Sequence, residues 1–195
     1  FGAKITGITL SQEQANFAKK RMYKKGLNEL VDIQIIDYRD LKKKFDRIIS
    51  IEMFEAVGEK YWPVYFNSLK NLMKNGAKST LQIITISDEL FPEYRKRVDF
   101  IQKYIFPGGM LPSKKALEKQ FLQVGLKSIN LKSFGSSYSK TLRLWHSSFN
   151  SVWDDIASVN FDDRFKRMWN FYLASCAAVF YSKTGDVIQV TLKKS

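Results

Sequence analysis

A regular exchange of β-branched runs for helical segments is the feature that most limits the folds open to this chain. Residues 4–9 read as a short strand, and Ser11 then caps a helix running toward Lys25, with Gln14 in its first turn and Gly26 as the stop. Residues 31–36 give a second strand ending at Asp37, and residues 47–51 a third. A helix over residues 61–74 stops at Asn75-Gly76, and residues 79–86 form the fourth strand. Strands separated by helices in this order predict a parallel α/β sheet.

The third strand carries the most informative local signal. Arg47-Ile48-Ile49 runs directly into Ser50-Ile51-Glu52-Met53-Phe54-Glu55-Ala56-Val57-Gly58. Ligands of open α/β sheets sit beyond the carboxyl ends of such strands, so Glu52 and Glu55 are delivered to the expected ligand crevice. The plain alternative is that both acids cap the following turn.

Past residue 86 the pattern changes. A helical stretch over residues 91–104 meets the turn Phe106-Pro107-Gly108-Gly109, a further helix starts at Ser113, and residues 126–131 form a strand. Two long helices follow, one with Leu142, Trp145, Phe149, Val152 and Ile156 on one face, the other with Phe165, Met168, Trp169, Tyr172, Cys176 and Phe180. Residues 187–192 close the chain as an antiparallel strand expected at the sheet edge.

Length and composition narrow the class. The 195 residues suit one domain with a sizeable core, and 45% hydrophobic content with 14% aromatics argues against disorder. Lys+Arg 32 against Asp+Glu 19 gives a net charge of +13, a field that favours anionic partners such as phospholipid headgroups or nucleic acid. The basic clusters Lys42-Lys43-Lys44, Arg95-Lys96-Arg97 and Lys114-Lys115 are scattered and read as solvated faces. A single cysteine, Cys176, excludes an internal disulfide framework and a multi-cysteine zinc site, and His146 is the only histidine. No apolar segment is long enough to span a bilayer and no signal peptide is visible, so a cytoplasmic chain is expected.

Taken together these segments resemble the cyclopropane-fatty-acyl-phospholipid synthases, a branch of the class I S-adenosylmethionine-dependent methyltransferases. The resemblance rests on Gly7-Ile8-Thr9-Leu10-Ser11-Gln12-Glu13-Gln14, Asp37-Tyr38-Arg39-Asp40, Phe45-Asp46-Arg47-Ile48-Ile49-Ser50, and Met53-Phe54-Glu55 with Val57-Gly58. It continues through Tyr104-Ile105-Phe106-Pro107-Gly108-Gly109-Met110-Leu111-Pro112-Ser113, Tyr138 with Thr141-Leu142 and Trp145, Arg164-Phe165-Lys166-Arg167-Met168, and Tyr172-Leu173 with Cys176-Ala177. It implies a Rossmann-like, mostly parallel sheet with helices on both faces. No G-x-G-x-G occurs, and Phe1 falls after the family's first strand. The expectation is therefore a single methyltransferase domain over residues 1–195 that is truncated at its N-terminal side and lacks the central first strand.

The resemblance also implies residue roles. Thr9, Leu10, Ser11 and Gln14 match the segment contacting the ribose and methionine parts of S-adenosylmethionine, and Asp37, Tyr38 and Arg39 the segment flanking its adenine. Tyr38 would stack on the base and Asp37 accept from its amino group; without the resemblance Ser11 is a helix cap and Asp37 a turn former. The reaction the resemblance implies is attack by a cis double bond on the sulfonium methyl, after which the carbocation loses a proton to a bound bicarbonate. Glu55 matches the glutamate that orients this bicarbonate and Tyr138 the phenol bonded to it, with backbone groups of Ile51 and Ile84 at its other contacts. Gln82 stands where many members carry histidine, and an amide binds an anion but carries no proton away. Phe106, Trp145 and Trp169 are candidate water-excluding walls. Cys176 matches a helix cysteine treated as catalytic in the family, but its apolar neighbours favour a packing role. No metal is implied.

The expected partners are unsaturated phospholipid acyl chains at the inner membrane face, reached by peripheral contact, with a homo-oligomer possible and nucleic acid not expected. Two competing readings are an N-methyltransferase acting on a small amine, and a non-catalytic basic lipid- or nucleic-acid-binding fragment.

Overall fold

A computed structural model describes residues 2–194, which divide after Lys44 into two compact units. The first unit holds β1 (Ile5–Thr9), α1 (Gln12–Lys24) and β2 (Val31–Ile35). The two strands pair in parallel, Ile5 opposite Val31 and Thr9 opposite Ile35. Ser11 is extended and its hydroxyl accepts from the Gln14 N–H at 3.2 Å, so it caps α1. Gly26 takes φ +63° just past the helix, a conformation that glycine adopts without strain.

The second unit is built on β3 (Phe45–Ile51), β4 (Met73–Ile86), β5 (Leu126–Ser133) and β6 (Gly185–Lys194), in the order β3-β4-β6-β5. β3 and β4 are parallel, and β6 is antiparallel to both its neighbours. Three of the four strands thus share one direction. The closing strand lies inside the sheet, not at its edge as the sequence suggested. Val187, Ile188, Val190 and Leu192 are fully buried there, whereas β5, with only Leu126 buried, forms the edge. β4 also starts six residues earlier than expected, because α2 (Trp62–Leu72) ends before Met73, which pairs with Phe45.

The helices α3 (Phe91–Tyr94), α4 (Phe100–Tyr104), α5 (Lys114–Gln123), α6 (Gly135–Ser151), α7 (Trp153–Ala157) and α8 (Asp163–Tyr181) complete the unit. The expected helix over residues 91–104 is two short helices, the second starting from a capping box at Asp99 and Gln102. The stripe drawn through Val152 to Ile156 is also interrupted: α6 ends at Ser151, Val152 leaves helical geometry, and Trp145 is 55% exposed.

Strand register assigns the helices to faces. Ser50 lies opposite Leu81, and its hydroxyl accepts from Tyr65 of α2 at 3.0 Å, so α2 covers the Leu81 face. Ile84 pairs with Val187 on the other face, where Leu142 of α6 and Leu173, Ala177 and Phe180 of α8 form a core cluster. Gln82 shares that second face, which brings α6 above the end of β3.

Gly135 is where α6 touches the sheet. A Cβ there would stand 2.8 Å from the Asp186 carboxylate oxygen and 3.2 Å from the Val187 nitrogen. The Gly135 N–H donates to Asp186 at 2.9 Å, and Asp186 also holds Lys114 at 2.7 Å. Gly135→Ala is expected to lower stability by about 1–3 kcal/mol, the usual cost of overpacking, and thermal melting against the native protein checks it.

Candidate active site

In the first unit the carboxyl ends of β1 and β2 form one ledge, since the Ile36 N–H donates to the Thr9 carbonyl at 3.2 Å. Thr9, Leu10, Ser11 and Gln14 follow β1 on this ledge, and Asp37, Tyr38 and Arg39 follow β2. Leu10 is 73% exposed, and Tyr38 is half-buried with the Arg39 guanidinium 5.9 Å from its ring centroid. Thr9 donates to Gln14 at 2.7 Å, and its hydroxyl oxygen accepts from the Ser11 N–H at 3.1 Å. Apolar and aromatic surface beside hydroxyl and amide groups suits a nucleoside. Asp37 is engaged with Arg39, accepting from Nε at 2.8 Å, from the terminal guanidinium nitrogen at 2.8 Å and from the backbone N–H at 2.9 Å. Those bonds hold its carboxyl down at about 2, so it stays ionised, with Oδ2 accepting only from the guanidinium among the described residues.

In the second unit the turn after β3 delivers both carboxylates, in different ways. Phe54, 1% exposed, is clamped among Trp62, Tyr65 and Phe66 at ring separations of 5.3, 5.0 and 5.1 Å. Trp62 Nε1 donates to the Val57 carbonyl at 2.9 Å, and the Met110 N–H donates to the Glu55 carbonyl at 2.8 Å. This anchored turn sends the Glu55 side chain inward, where Oε1 accepts from the Ile84 N–H at 2.6 Å. Oε2 is buried without a hydrogen-bond partner among the described residues. Burial pushes the Glu55 carboxyl up to about 7; the Ile84 N–H opposes the shift and the charge of Glu52 adds to it. A carboxyl that titrates near neutrality can take or give a proton under working conditions.

Glu52 sits at φ +50°, the left-handed region that non-glycine residues rarely occupy. Its N–H donates to the Gln82 carbonyl at 2.9 Å. Its Oε1 accepts from the Tyr138 hydroxyl and from Gln82 Nε2, the latter at 2.8 Å. Gln82 Nε2 also donates to the Tyr138 oxygen at 2.9 Å, while its Oε1 accepts from Gln189 at 2.9 Å. Burial, followed by the hydrogen bond to Glu52, raises Tyr138 well above the ordinary phenol value, so it remains a donor.

The structure thus brings Tyr138, Gln82, Ile84 and Glu55 to one region, with Ile51 in register with Gln82. It does not leave them arranged for a bicarbonate. The Ile84 N–H is spent on Glu55, and the Tyr138 hydroxyl and Gln82 amide are spent on Glu52. A second anion would displace a carboxylate and meet its charge. Bicarbonate therefore does not fit the site as built. In the sequence Glu52 is marked by its position directly after β3, which assigns it no role.

Cys176 is half-buried against the α6–α8 core, the same cluster on which Tyr138 and Ile84 pack, and among the described residues it makes no hydrogen bond to the carboxylate pair. Burial and then the charge of Asp99 push its thiol up to about 11, which disfavours the thiolate. Of the proposed aromatic walls, Trp169 and Phe106 both meet Tyr172, at 5.0 and 6.1 Å between ring centroids. A cavity of about 450 Å³ opens where β4 ends and β6 begins, lined in part by Thr85, Lys114, Gly135, Phe180 and Asp186. Neither glutamate lines it. No helix among the described residues is long and apolar enough to cross a membrane.

Comparison with known proteins gives a consistent picture. A sequence profile of the family described as mycolic acid cyclopropane synthetase matches residues 1–190. Tuberculostearic acid methyltransferase UfaA1 of Mycobacterium tuberculosis is 41% identical over 192 residues, covering 98% of this chain and 45% of that protein. The cyclopropane-fatty-acyl-phospholipid synthase of Escherichia coli K12 is 36% identical over 196 residues, covering 100% of this chain and 48% of that protein. The chain therefore spans less than half the length of these relatives. The crystal structure of mycolic acid cyclopropane synthase CmaA1 complexed with SAH and CTAB superposes with a TM-score of 0.88 at 25% identity, over 98% of this chain and 70% of that one. The fold is that of the class I S-adenosylmethionine-dependent methyltransferases.

Proposed function

We propose, from the premise that this chain belongs to the mycolic acid cyclopropane synthetase family, that its whole protein transfers the methyl carbon of S-adenosylmethionine to the double bond of an unsaturated phospholipid acyl chain. The observation that carries the reading is the carboxylate pair at the end of β3, held by Tyr138, Gln82 and Ile84. S-adenosylmethionine, when bound, supplies an electrophilic methyl group. Thr9, Leu10, Ser11, Gln14 and Tyr38 hold its nucleoside at the ledge of the first unit. In the second unit the carboxylates provide what an alkene acceptor needs and lacks, a negative charge beside a developing cation and a base for its proton. Phe106, Tyr172 and Trp169 keep water from that cation. Cys176 packs.

Membrane contact follows from the substrate. The net charge of +13 attracts the chain to an anionic lipid surface, the source of its acyl chains. Relatives at 41% and 36% identity are named for lipid substrates, which favours a lipid over the amine acceptor. Expression of the complete gene is expected to add one methylene per modified acyl chain by mass spectrometry, with upfield cyclopropane proton signals in the extracted lipid. Unchanged lipids together with a methylated amine would establish the other acceptor class.

A further inference from the structure

We infer that Glu52 is the resident anion of this site: its carboxylate fills the place between Tyr138 and Gln82 and itself receives the proton that closes the ring. The chemical half of this inference rests on the lipid reading; the occupancy half does not.

Three observations carry it. Glu52 holds a left-handed backbone conformation that non-glycine residues rarely occupy, at a position where its N–H is tied to the Gln82 carbonyl. Its side chain collects a phenol and an amide donor from residues 86 and 30 positions away, on α6 and β4. Gln82 is saturated, with Nε2 donating twice and Oε1 accepting from Gln189. Charge-assisted bonds of this kind are about twice as strong as neutral ones, so an incoming anion gains little by competing for the same donors.

The step balances without another base. Addition of the methyl carbon to one alkene carbon leaves a cation on its neighbour. A C–H bond of the added methyl then breaks, and its electron pair closes the ring onto the cationic carbon. The proton goes to Oε2 of Glu52, which lies outside both bonds to Oε1, and the carboxylic acid formed later returns it to water.

The test compares native protein from the complete gene with Glu52→Gly and Glu52→Gln. Glycine adopts φ +50° freely, so the first variant empties the place while easing the backbone. Glutamine keeps it filled with an oxygen that still accepts from Tyr138, but offers no carboxylate. Turnover is measured on dioleoylphosphatidylglycerol vesicles in carbonate-free buffer, with and without added bicarbonate. Native activity is expected to ignore bicarbonate. Both variants fall by about 10²-fold or more, the range of general-base contributions. Added bicarbonate restores Glu52→Gly by tenfold or more and leaves Glu52→Gln unchanged. Native activity that requires bicarbonate, or a Glu52→Gly protein fully active without it, overturns the inference. In parallel, ¹³C-bicarbonate binding is followed by NMR without lipid, with binding expected for Glu52→Gly alone. Binding by the native protein, or by neither, overturns the occupancy claim. Absence of lipid turnover in all three proteins sinks the lipid reading, and the binding measurement still decides what Glu52 occupies.

Discussion

Glu55→Gln is expected to remove most turnover and to make the protein more stable above neutral pH. The carboxyl titrates at about 7 in the fold, against an ordinary value of 4.5. Its folded-state value is raised, so its contribution to stability is fully present below about 4.5 and is lost as pH climbs through about 7. Above that the native protein carries the whole cost of a buried charge, about 3 kcal/mol for a shift of this size. Glutamine has nearly the same shape and keeps an oxygen for the Ile84 N–H, but carries no charge. The gain in melting temperature over the native protein should therefore be small at pH 4.5 and large at pH 8. Turnover should fall about tenfold or more, because the site loses a negative charge beside the developing cation. Equal melting curves at both pH values would mean that Glu55 is solvated and not poised. A matched Cys176→Ser variant is expected to retain substantial activity.

The alternation of apolar runs was enough to read β1, α1, β2 and β3, because each of these elements is decided by local capping and periodicity. Ser11 starts α1 with its hydroxyl cap and Gly26 ends it by taking a positive φ that the absence of a Cβ allows. Where long-range pairing decides, the sequence was silent. Met73 continues a helical pattern but joins β4 because Phe45 is there to pair with it. The last strand alternates like an edge strand, and only the arrival of β5 on its open side makes it internal. The site divides along the same line. Glu55 and Tyr138 were legible through family motifs. The bond that defines the site, between Glu52 and Tyr138, joins residues 86 positions apart and depends on α6 crossing the sheet face at Gly135. The same bond removed bicarbonate from the reading.

Phe54, directly before Glu55 in the turn after β3, is held in an aromatic clamp, so Phe54→Ala is expected to harm both stability and chemistry. Phe54 is 1% exposed and touches three aromatic rings within 5.3 Å. Removing a buried ring of this kind costs about 3–5 kcal/mol, a large part of the roughly 5–15 kcal/mol that holds a typical domain together. The neighbouring Trp62, Tyr65 and Phe66 are themselves fixed to α2, so they cannot all close the void. The loss should exceed that of Phe54→Leu, which keeps most of the apolar volume. The chemical effect is separable by working well below the melting point, where both variants remain folded. Glu55 follows Phe54 by one position and owes its burial to this turn, so loosening the turn should let water reach its carboxyl. Its titration should then drop from about 7 toward the ordinary 4.5, moving the acid limb of the pH–rate profile to lower pH in Phe54→Ala but little in Phe54→Leu. A profile unmoved in Phe54→Ala would show that the sheet, through Ile84, positions Glu55 without help from the clamp.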